Sequence, residues 1–407
     1  MRGVASRRAG SRPASLPLAL LLAASSALFI ATPFATTPAR ADSIRDREYW
    51  LADYGITEAW NTTRGAGVTV AVIDTGISED HQDLDGAVSG GTDFSGEGTD
   101  DGRSPVGVDD PNHGTMVASV LAGRGHGDAG VIGVAPEASL LSISIGFGDA
   151  ADDADQQVAD AVHWATDNGA TVINMSLTRN TADWPESWDE AFLYAMDHDV
   201  VIVAAAGNRS DGTTAVGAPA TMPGVLTVSG LTREGNGSVE SSAPGVTVGL
   251  AAPSEDLVGA VPGDGYVVWG GTSGATPIVA GAVALVRAAH PDLSASDVIN
   301  RLTSTAVDDG PDGYDPVFGF GKLDVAAAVA AEVPPARDNP MGDLSEWIAQ
   351  NRGAVAATSP PPTGVPAGVP EAASSVILPL LFVAIFVLVV VAILAVWRRF
   401  KRTRRKG

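Results

Sequence analysis

The chain of 407 residues contains no cysteine. Without cysteine there can be no thiolate nucleophile, no cysteine-ligated metal site and no disulfide framework. The absence gives no information about the redox compartment either, so the location of the protein has to be inferred from the two ends of the chain.

Basic residues are scarce in the middle of the chain. Lys and Arg number 25 against 48 Asp and Glu. Five arginines lie in residues 1–41 and seven basic residues lie in the last ten positions, which leaves 13 for everything between. Nucleic-acid binding depends on basic residues that displace counterions from phosphates. The acidic middle of the chain therefore excludes nucleic acid as a partner. The negative charge favours a soluble, self-repelling domain outside the cell.

Residues 1–41 have the pattern of a secretory signal peptide. A basic start is followed by an apolar stretch, Leu16 to Phe34, and then by Ala39-Arg40-Ala41, an A-x-A cleavage site. The alternative is an uncleaved anchor helix, but small residues stand where cleavage requires them. Cleavage leaves residues 42–63 as an N-terminal extension.

A second apolar segment lies near the other end of the chain. Residues 376–397 are uncharged and match the ~20 residues that a helix needs to cross a bilayer. The basic tail, residues 398–407, is expected in the cytoplasm by the positive-inside rule. Residues 331–375 are proline-rich and are predicted to be a linker with polyproline II character. We therefore expect a single-pass type I protein of the cell membrane with an extracellular body.

Residues 64–330 alternate between strand-like and helix-like segments. The predicted strands are Val68–Ile73, Leu140–Ile145, Thr171–Met175, Val200–Ala205, Val225–Val228 and Val246–Ala251. The predicted helices are Gly114–Ala122, Gln156–Asn168, Ser187–Asp197, Ser273–His290 and Ser294–Thr303. Near-continuous Val, Ile and Ala in the strands is typical of strands buried on both faces. The pattern predicts an α/β fold, a parallel sheet covered by helices, with ligands beyond the carboxyl ends of the strands.

Four short motifs stand where predicted strands end or predicted helices begin. They are Asp74-Thr75-Gly76 after the first strand, Asn112-His113-Gly114-Thr115 at a helix start, Ala204-Ala205-Ala206-Gly207-Asn208 at a strand end, and Gly271-Thr272-Ser273-Gly274-Ala275-Thr276-Pro277 at another helix start. Taken singly, each motif is weak, and Asp74 or Asn208 alone would more simply be a turn residue. Together, at such boundaries, they indicate one site.

The residue types suit nucleophilic attack on a carbonyl group. A serine hydroxyl such as that of Ser273 is a weak nucleophile that needs an adjacent base, and His113 titrates near neutrality. A carboxylate such as Asp74 holds the imidazole in one tautomer and stabilises the imidazolium. The Asn208 amide can donate to the oxyanion that forms, as can backbone N–H groups at the helix start of Ser273. This chemistry needs no cofactor.

The order Asp, His, Ser is that of subtilisin, and over Trp60–Leu323 the chain resembles the subtilisin-like serine peptidase family. The resemblance implies a serine-type endopeptidase with a seven-stranded parallel sheet between helices. It also implies that Ser176 and Leu177 form one wall of the substrate cleft. The opposite wall would be Ala205, Ala206 and Gly207.

Two positions depart from the family pattern. Gly274 replaces the methionine or other larger residue that usually follows the nucleophile, and Thr178 stands where many members have glycine. Neither change touches the three catalytic residues, but Thr178 puts the depth of the cleft in doubt.

With cleavage after Ala41, we expect the segment before Asp74 to be too short for the folded inhibitory prodomain of secreted subtilisins. Together with the linker, the membrane helix and the basic tail, this resembles the mycosins, membrane-anchored subtilases of type VII secretion systems. That group usually carries a disulfide, which this chain lacks. The resemblance implies processing of secreted or secretion-system proteins. The alternative is a structural component that stabilises a secretion complex, with proteolysis secondary.

One acidic stretch leaves a metal site open. Its carboxylates are Asp93, Glu97, Asp100, Asp101, Asp109 and Asp110. A structural calcium ion would accept such oxygen ligands, but the spacing is not that of an EF-hand. A solvated loop that partly lines the cleft near His113 is the simpler expectation.

Overall fold

The computed structural model describes residues 44–107, 110–146 and 153–352. The chain divides into two compact units, Met1–Ala349 and Gln350–Gly407, and only residues 350–352 of the second are described. The predicted signal peptide, membrane helix and basic tail all lie outside the described residues.

Eleven strands and nine α-helices form the described part of the chain. The strands are β1 (Thr69–Asp74), β2 (Val88–Asp93), β3 (Arg124–His126), β4 (Ala129–Ile132), β5 (Ser139–Ser144), β6 (Val172–Met175), β7 (Val201–Ala205), β8 (Leu226–Leu231), β9 (Val248–Pro253), β10 (Leu257–Val261) and β11 (Gly265–Trp269). The helices are α1 (Trp50–Asp53), α2 (Ile56–Ala59), α3 (His113–Ala122), α4 (Ala154–Asp167), α5 (Glu186–Asp197), α6 (Thr272–Ala289), α7 (Ala295–Ser304), α8 (Val325–Ala330) and α9 (Leu344–Asn351). Short 3-10 turns cover Arg45–Arg47 and Gln82–Leu84.

Seven parallel strands form one sheet in the order β2-β5-β1-β6-β7-β8-β9, so the predicted fold class is confirmed. Alternate residues of β1 serve two cores, because successive side chains point to opposite faces of a sheet. Val70 and Val72 pack in the core that contains α3 and α6. Ala71 and Ile73 pack in the core that contains α4 and α5. This double cover explains why the central strands are apolar throughout.

The edge strand β2 is the one strand of the main sheet that the sequence did not indicate. Its residues, Val88-Ser-Gly-Gly-Thr-Asp93, are mostly polar or glycine because the strand is half-exposed. Gly91 is required by close packing, since a Cβ there would lie 2.1 Å from the Asp101 carbonyl oxygen and 2.3 Å from that of Ser142.

Helix α6 lies at the centre of the domain and begins beside Ser273. Within the described residues it is the one helix with the length and hydropathy of a membrane span, and most of it is buried inside the domain. The small residues of α6 allow neighbouring segments to pack closely against it. A Cβ at Gly281, for example, would lie 2.5 Å from the Val134 side chain. The apolar character of α6 is therefore that of a core helix.

Both segments that flank the predicted peptidase domain belong to its core. In the N-terminal extension, Trp50 and Ile56 are fully buried, and the Trp60 indole N–H donates to the Val134 carbonyl at 2.8 Å. On the other side, Leu344 of α9 is buried, and the Trp347 ring lies 4.3 Å from that of Trp184. Both residues lie within the predicted linker, residues 331–375, and this apolar pair packs against the peptidase domain.

We predict that Leu344→Ala lowers the free energy of unfolding by about 2–4 kcal/mol, because it empties a buried site beneath α5. Urea unfolding measures this effect, in a Ser273→Ala background that prevents self-digestion. Arg337→Ala, at an exposed position nearby, is the control and should stay within about 0.5 kcal/mol of the parent. If Leu344→Ala leaves the free energy of unfolding unchanged, the segment around Leu344 does not stabilise the domain and behaves as a linker.

Candidate active site

Asp74 and His113 meet at the carboxyl edge of the sheet. Asp74 ends β1 and is fully buried, whereas His113 is the first residue of α3 and its side chain is 22% exposed. The His113 ring nitrogen Nδ1 lies 2.8 Å from Oδ1 and 3.0 Å from Oδ2 of Asp74. Since a carboxylate only accepts, Nδ1 carries the proton and Nε2 is left for a second partner.

The neighbouring motif residues explain why these two loops lie so close. The Gly114 N–H donates to the Thr75 hydroxyl at 2.9 Å, and that hydroxyl donates to the Pro111 carbonyl at 3.0 Å. A Cβ at Gly114 would lie only 2.4 Å from the Gly76 carbonyl oxygen. The D-T-G and H-G-T motifs therefore interlock through one threonine and two glycines.

The pKa of His113 is raised above its ordinary value of 6.5. Burial of the ring opposes protonation, but the charge and hydrogen bond of Asp74 outweigh it, and the charge of Asp110 adds to the effect. A base with a raised pKa is a stronger proton acceptor, so the imidazole is prepared to take a hydroxyl proton.

Ser273 stands at the start of α6 and is tied to the end of β6. Its hydroxyl donates to the Ser176 carbonyl at 3.1 Å, and the Ser176 hydroxyl donates to the Ser273 carbonyl at 2.8 Å. The amide of Asn174 donates to the Ser176 hydroxyl at 3.1 Å. This reciprocal pair holds the serine at the mouth of the cleft that also contains His113.

The departure at Gly274 has a steric cause. A Cβ at this position would lie 2.4 Å from a methyl group of Leu257, and the Trp269 ring is 3.5 Å away. The same Trp269 ring stands edge-on to the His113 imidazole at a centroid distance of 5.8 Å. The β10–β11 hairpin thus occupies the space that a larger residue after Ser273 would fill.

Asn208 is hydrogen-bonded to Thr272, the residue before Ser273. Its side-chain oxygen accepts the Thr272 N–H at 2.8 Å and the Thr272 hydroxyl at 2.9 Å. Its Nδ2 group donates to the Asp211 carboxylate at 2.9 Å, which occupies one of its two hydrogens. The second hydrogen remains for a ligand in the cleft.

A cleft of about 300 Å³ brings the predicted residues together. It is lined by Thr75, Val106, Gly107, Asp110, His113, Ser176, Leu177, Thr178, Ala205, Gly207, Asn208, Asp211, Thr272 and Ser273. Among the predicted wall residues, Ala206 is absent, because its side chain is fully buried in the core beyond the sheet. Of the residues predicted for the second wall, Ala205 and Gly207 thus line the cleft and Ala206 does not.

Among the cleft residues that sequence reasoning missed or left open are Thr178, Asp110 and Asp211. Thr178 lines the cleft, and its γ-methyl lies 3.1 Å from the position that a Cβ on Gly207 would take. Asp110 and Asp211 are the carboxylates among the lining residues. The signal for Asp110 was its place in the acidic stretch, whereas Asp211 is marked only by its position three residues after Asn208.

In the described part of the acidic stretch, hydrogen bonds from neighbouring groups already occupy the Asp93 carboxylate. Burial opposes ionisation of Asp93, but hydrogen bonds from Ser144, Ser95 and backbone N–H groups outweigh it and lower the pKa of Asp93. No three His, Asp or Glu side chains of the described residues are grouped to hold a metal ion. Asp109 lies outside those residues, so the solvated loop stays the prediction and a structural calcium ion the alternative to it.

Comparison with known proteins gives one family. The pattern of the Subtilase family matches residues 65–321. Fervidolysin of Fervidobacterium pennivorans is 34% identical over 322 residues, 70% of this chain but only 44% of that protein. Mycosin-4 of Mycobacterium tuberculosis is 35% identical over 348 residues, 75% of this chain and 74% of that protein. The crystal structure of MycP1 from the ESX-1 type VII secretion system has a TM-score of 0.63 at 31% identity, covering 74% of this chain and 91% of MycP1.

We predict that Asp110→Asn shifts the acidic limb of the pH profile of kcat/KM to lower pH. His113 must be neutral to accept a proton, so activity falls as pH falls through its raised pKa, and removing the Asp110 charge lowers that pKa. Because Asp110 is exposed, the shift should shrink in high salt. An unchanged limb at low ionic strength would contradict this assignment.

We also predict that Thr178→Gly deepens the cleft. The relative kcat/KM for a large apolar side chain before the cut, measured against alanine in a peptide series, should rise by about tenfold or more. Thr178→Val keeps the obstructing methyl group and is the matched control. Equal preferences for Thr178→Gly and the parent would show that Thr178 does not limit the cleft.

Proposed function

The chain belongs to the subtilase family of serine endopeptidases, and from this premise we propose that it is anchored in the cell membrane and processes secreted or secretion-system proteins outside the cytoplasm. The observation that carries the catalytic part is the Asp74–His113 hydrogen bond of 2.8 Å at the cleft that contains Ser273 and Asn208. Asp74, His113 and Ser273 are the proposed catalytic residues.

The first half of the reaction forms an acyl-enzyme. The Ser273 hydroxyl turns from the Ser176 carbonyl and attacks the scissile carbonyl carbon while His113 Nε2 takes its proton. Negative charge then develops on the substrate oxygen, where Asn208 Nδ2 donates a hydrogen bond. Collapse of this intermediate breaks the peptide C–N bond, and His113 returns the proton to the leaving amine.

The second half returns the enzyme to its starting state. Water enters in place of the amine, and His113 takes one of its protons as the oxygen attacks the acyl carbon. The bond to Ser273 breaks, the serine oxygen regains the proton, and the product leaves with a new carboxyl group. Asp74 stays ionised throughout and stabilises the imidazolium that forms twice.

The location rests on the ends of the chain. The uncharged run at residues 376–397 is long enough to cross a bilayer, and the basic residues that follow favour a cytoplasmic tail. Similarity to MycP1, which comes from a type VII secretion system, favours a secretion-linked role. Such tethering favours a few local substrates over general digestion.

We predict that a fluorophosphonate probe labels the full-length protein in membranes at Ser273, because the probe reacts with a serine that an adjacent base activates. Peptide mapping identifies the modified residue, and Ser273→Ala should lose both labelling and peptide hydrolysis, the latter by about 10⁶ in kcat. Ser304→Ala, at an exposed helix end, is the matched control and should label normally. A folded protein that the probe does not modify would contradict the proposal.

A role as a structural subunit of a secretion complex is the competing function. The linker and anchor predicted from the sequence favour it, since a freely diffusing protease needs neither. Complementation of a deletion strain with Ser273→Ala separates the two functions. We predict that secretion stays defective at normal protein levels; full recovery would make the structural role the essential one.

A further inference from the structure

We propose that Asp211 is a positioning residue for the oxyanion, acting through the side-chain amide of Asn208. The inference rests on the function proposed above and extends it to a residue that does not itself touch the reacting atoms. The carboxylate of Asp211 accepts one hydrogen of Asn208 Nδ2 at 2.9 Å and so directs the other hydrogen into the cleft.

The orientation of the Asn208 amide is determined by its partners. The Thr272 backbone N–H can only donate, so the atom 2.8 Å away must be the amide oxygen. The Thr272 hydroxyl accepts the Gly207 N–H at 3.1 Å and donates its own hydrogen to the same Asn208 oxygen at 2.9 Å. The nitrogen therefore faces Asp211, which as a carboxylate can only accept.

A tight turn brings the carboxylate to this place. The Asn208 carbonyl accepts the N–H groups of Asp211 at 3.3 Å and Thr213 at 3.1 Å. The Ser210 hydroxyl donates to the other oxygen of Asp211 at 3.0 Å. Both carboxylate oxygens are thus used, one to lock the side chain and one to hold Asn208.

Space around Asn208 is closed on the remaining side by Gly271. A Cβ at Gly271 would lie 3.0 Å from Asn208 Nδ2, and its φ of 120° favours glycine independently. The amide is therefore confined by the helix start on one side and by Asp211 on the other. Hydrogen-bond donors stabilise a transition state most when they are oriented beforehand, because no reorganisation is then needed during the reaction.

The first measurement is the kcat and KM of peptide hydrolysis by the full-length protein in detergent. Asp211→Ala should lower kcat by about tenfold, the scale of one lost charge-assisted hydrogen bond, and leave KM within about twofold. Asp211→Asn should recover at least half of the parent kcat, because its amide oxygen accepts the same bond and its nitrogen can donate to Ser210. A purely electrostatic role would leave the Asn and Ala variants equally impaired, which would overturn the proposal.

The second measurement is a double-mutant cycle with Asn208→Ala. That variant alone should lose about 10²–10³ in kcat. If Asp211 acts through Asn208, adding Asp211→Ala to it should change kcat by less than about twofold, whereas independent effects multiply. Glu240→Ala, an exposed carboxylate whose backbone carbonyl accepts the Ser210 N–H, is the control and should leave kcat unchanged in both backgrounds.

The outcomes separate the two proposals. A tenfold loss from Asp211→Ala in both backgrounds would overturn the positioning role while the peptidase function stands. A parent protein that hydrolyses no peptide and carries no label at Ser273 would remove the proposed function, and the positioning role with it.

Discussion

The hydrogen bond between Asp74 and His113 is the interaction on which the rest of the site depends. Asp74 is fully buried, and a buried carboxylate without partners would cost several kcal/mol. It is stabilised by the His113 ring at 2.8 Å and the Thr75 N–H at 2.7 Å. The fold therefore buries the Asp74 carboxylate directly against the His113 imidazole.

The sheet supplies the precision of this arrangement. Asp74 ends the interior strand β1 in register with Ser144 of β5, and the Ile145 N–H donates to the Asp74 carbonyl at 2.9 Å. Ser273 is fixed from β6 through the exchange of hydrogen bonds with Ser176. Two neighbouring strands thus set the separation of acid and nucleophile, while the helix starts provide His113 and Ser273 themselves.

Features that leave a local pattern could be predicted from the sequence, whereas contacts that depend on the folded geometry could not. The apolar strands and the four motifs were recognisable because buried parallel strands and helix starts leave local patterns. Strand β2 left none, since it lies at the half-exposed edge. The packing of Leu344 against the domain is a tertiary contact, which leaves no local pattern either. The side-chain direction of Ala206 and the contact of Asp211 with Asn208 depend on pleat and turn geometry, which spacing alone does not reveal.

The most direct test of this account is the kcat of Asp74→Asn, a change that preserves size and removes the charge. Since asparagine neither stabilises the imidazolium nor selects the required tautomer, kcat should fall by roughly 10⁴, as it does for this change in another Ser-His-Asp peptidase. Urea unfolding should show that the variant remains folded. A folded Asp74→Asn protein with kcat within about tenfold of the parent would contradict the account.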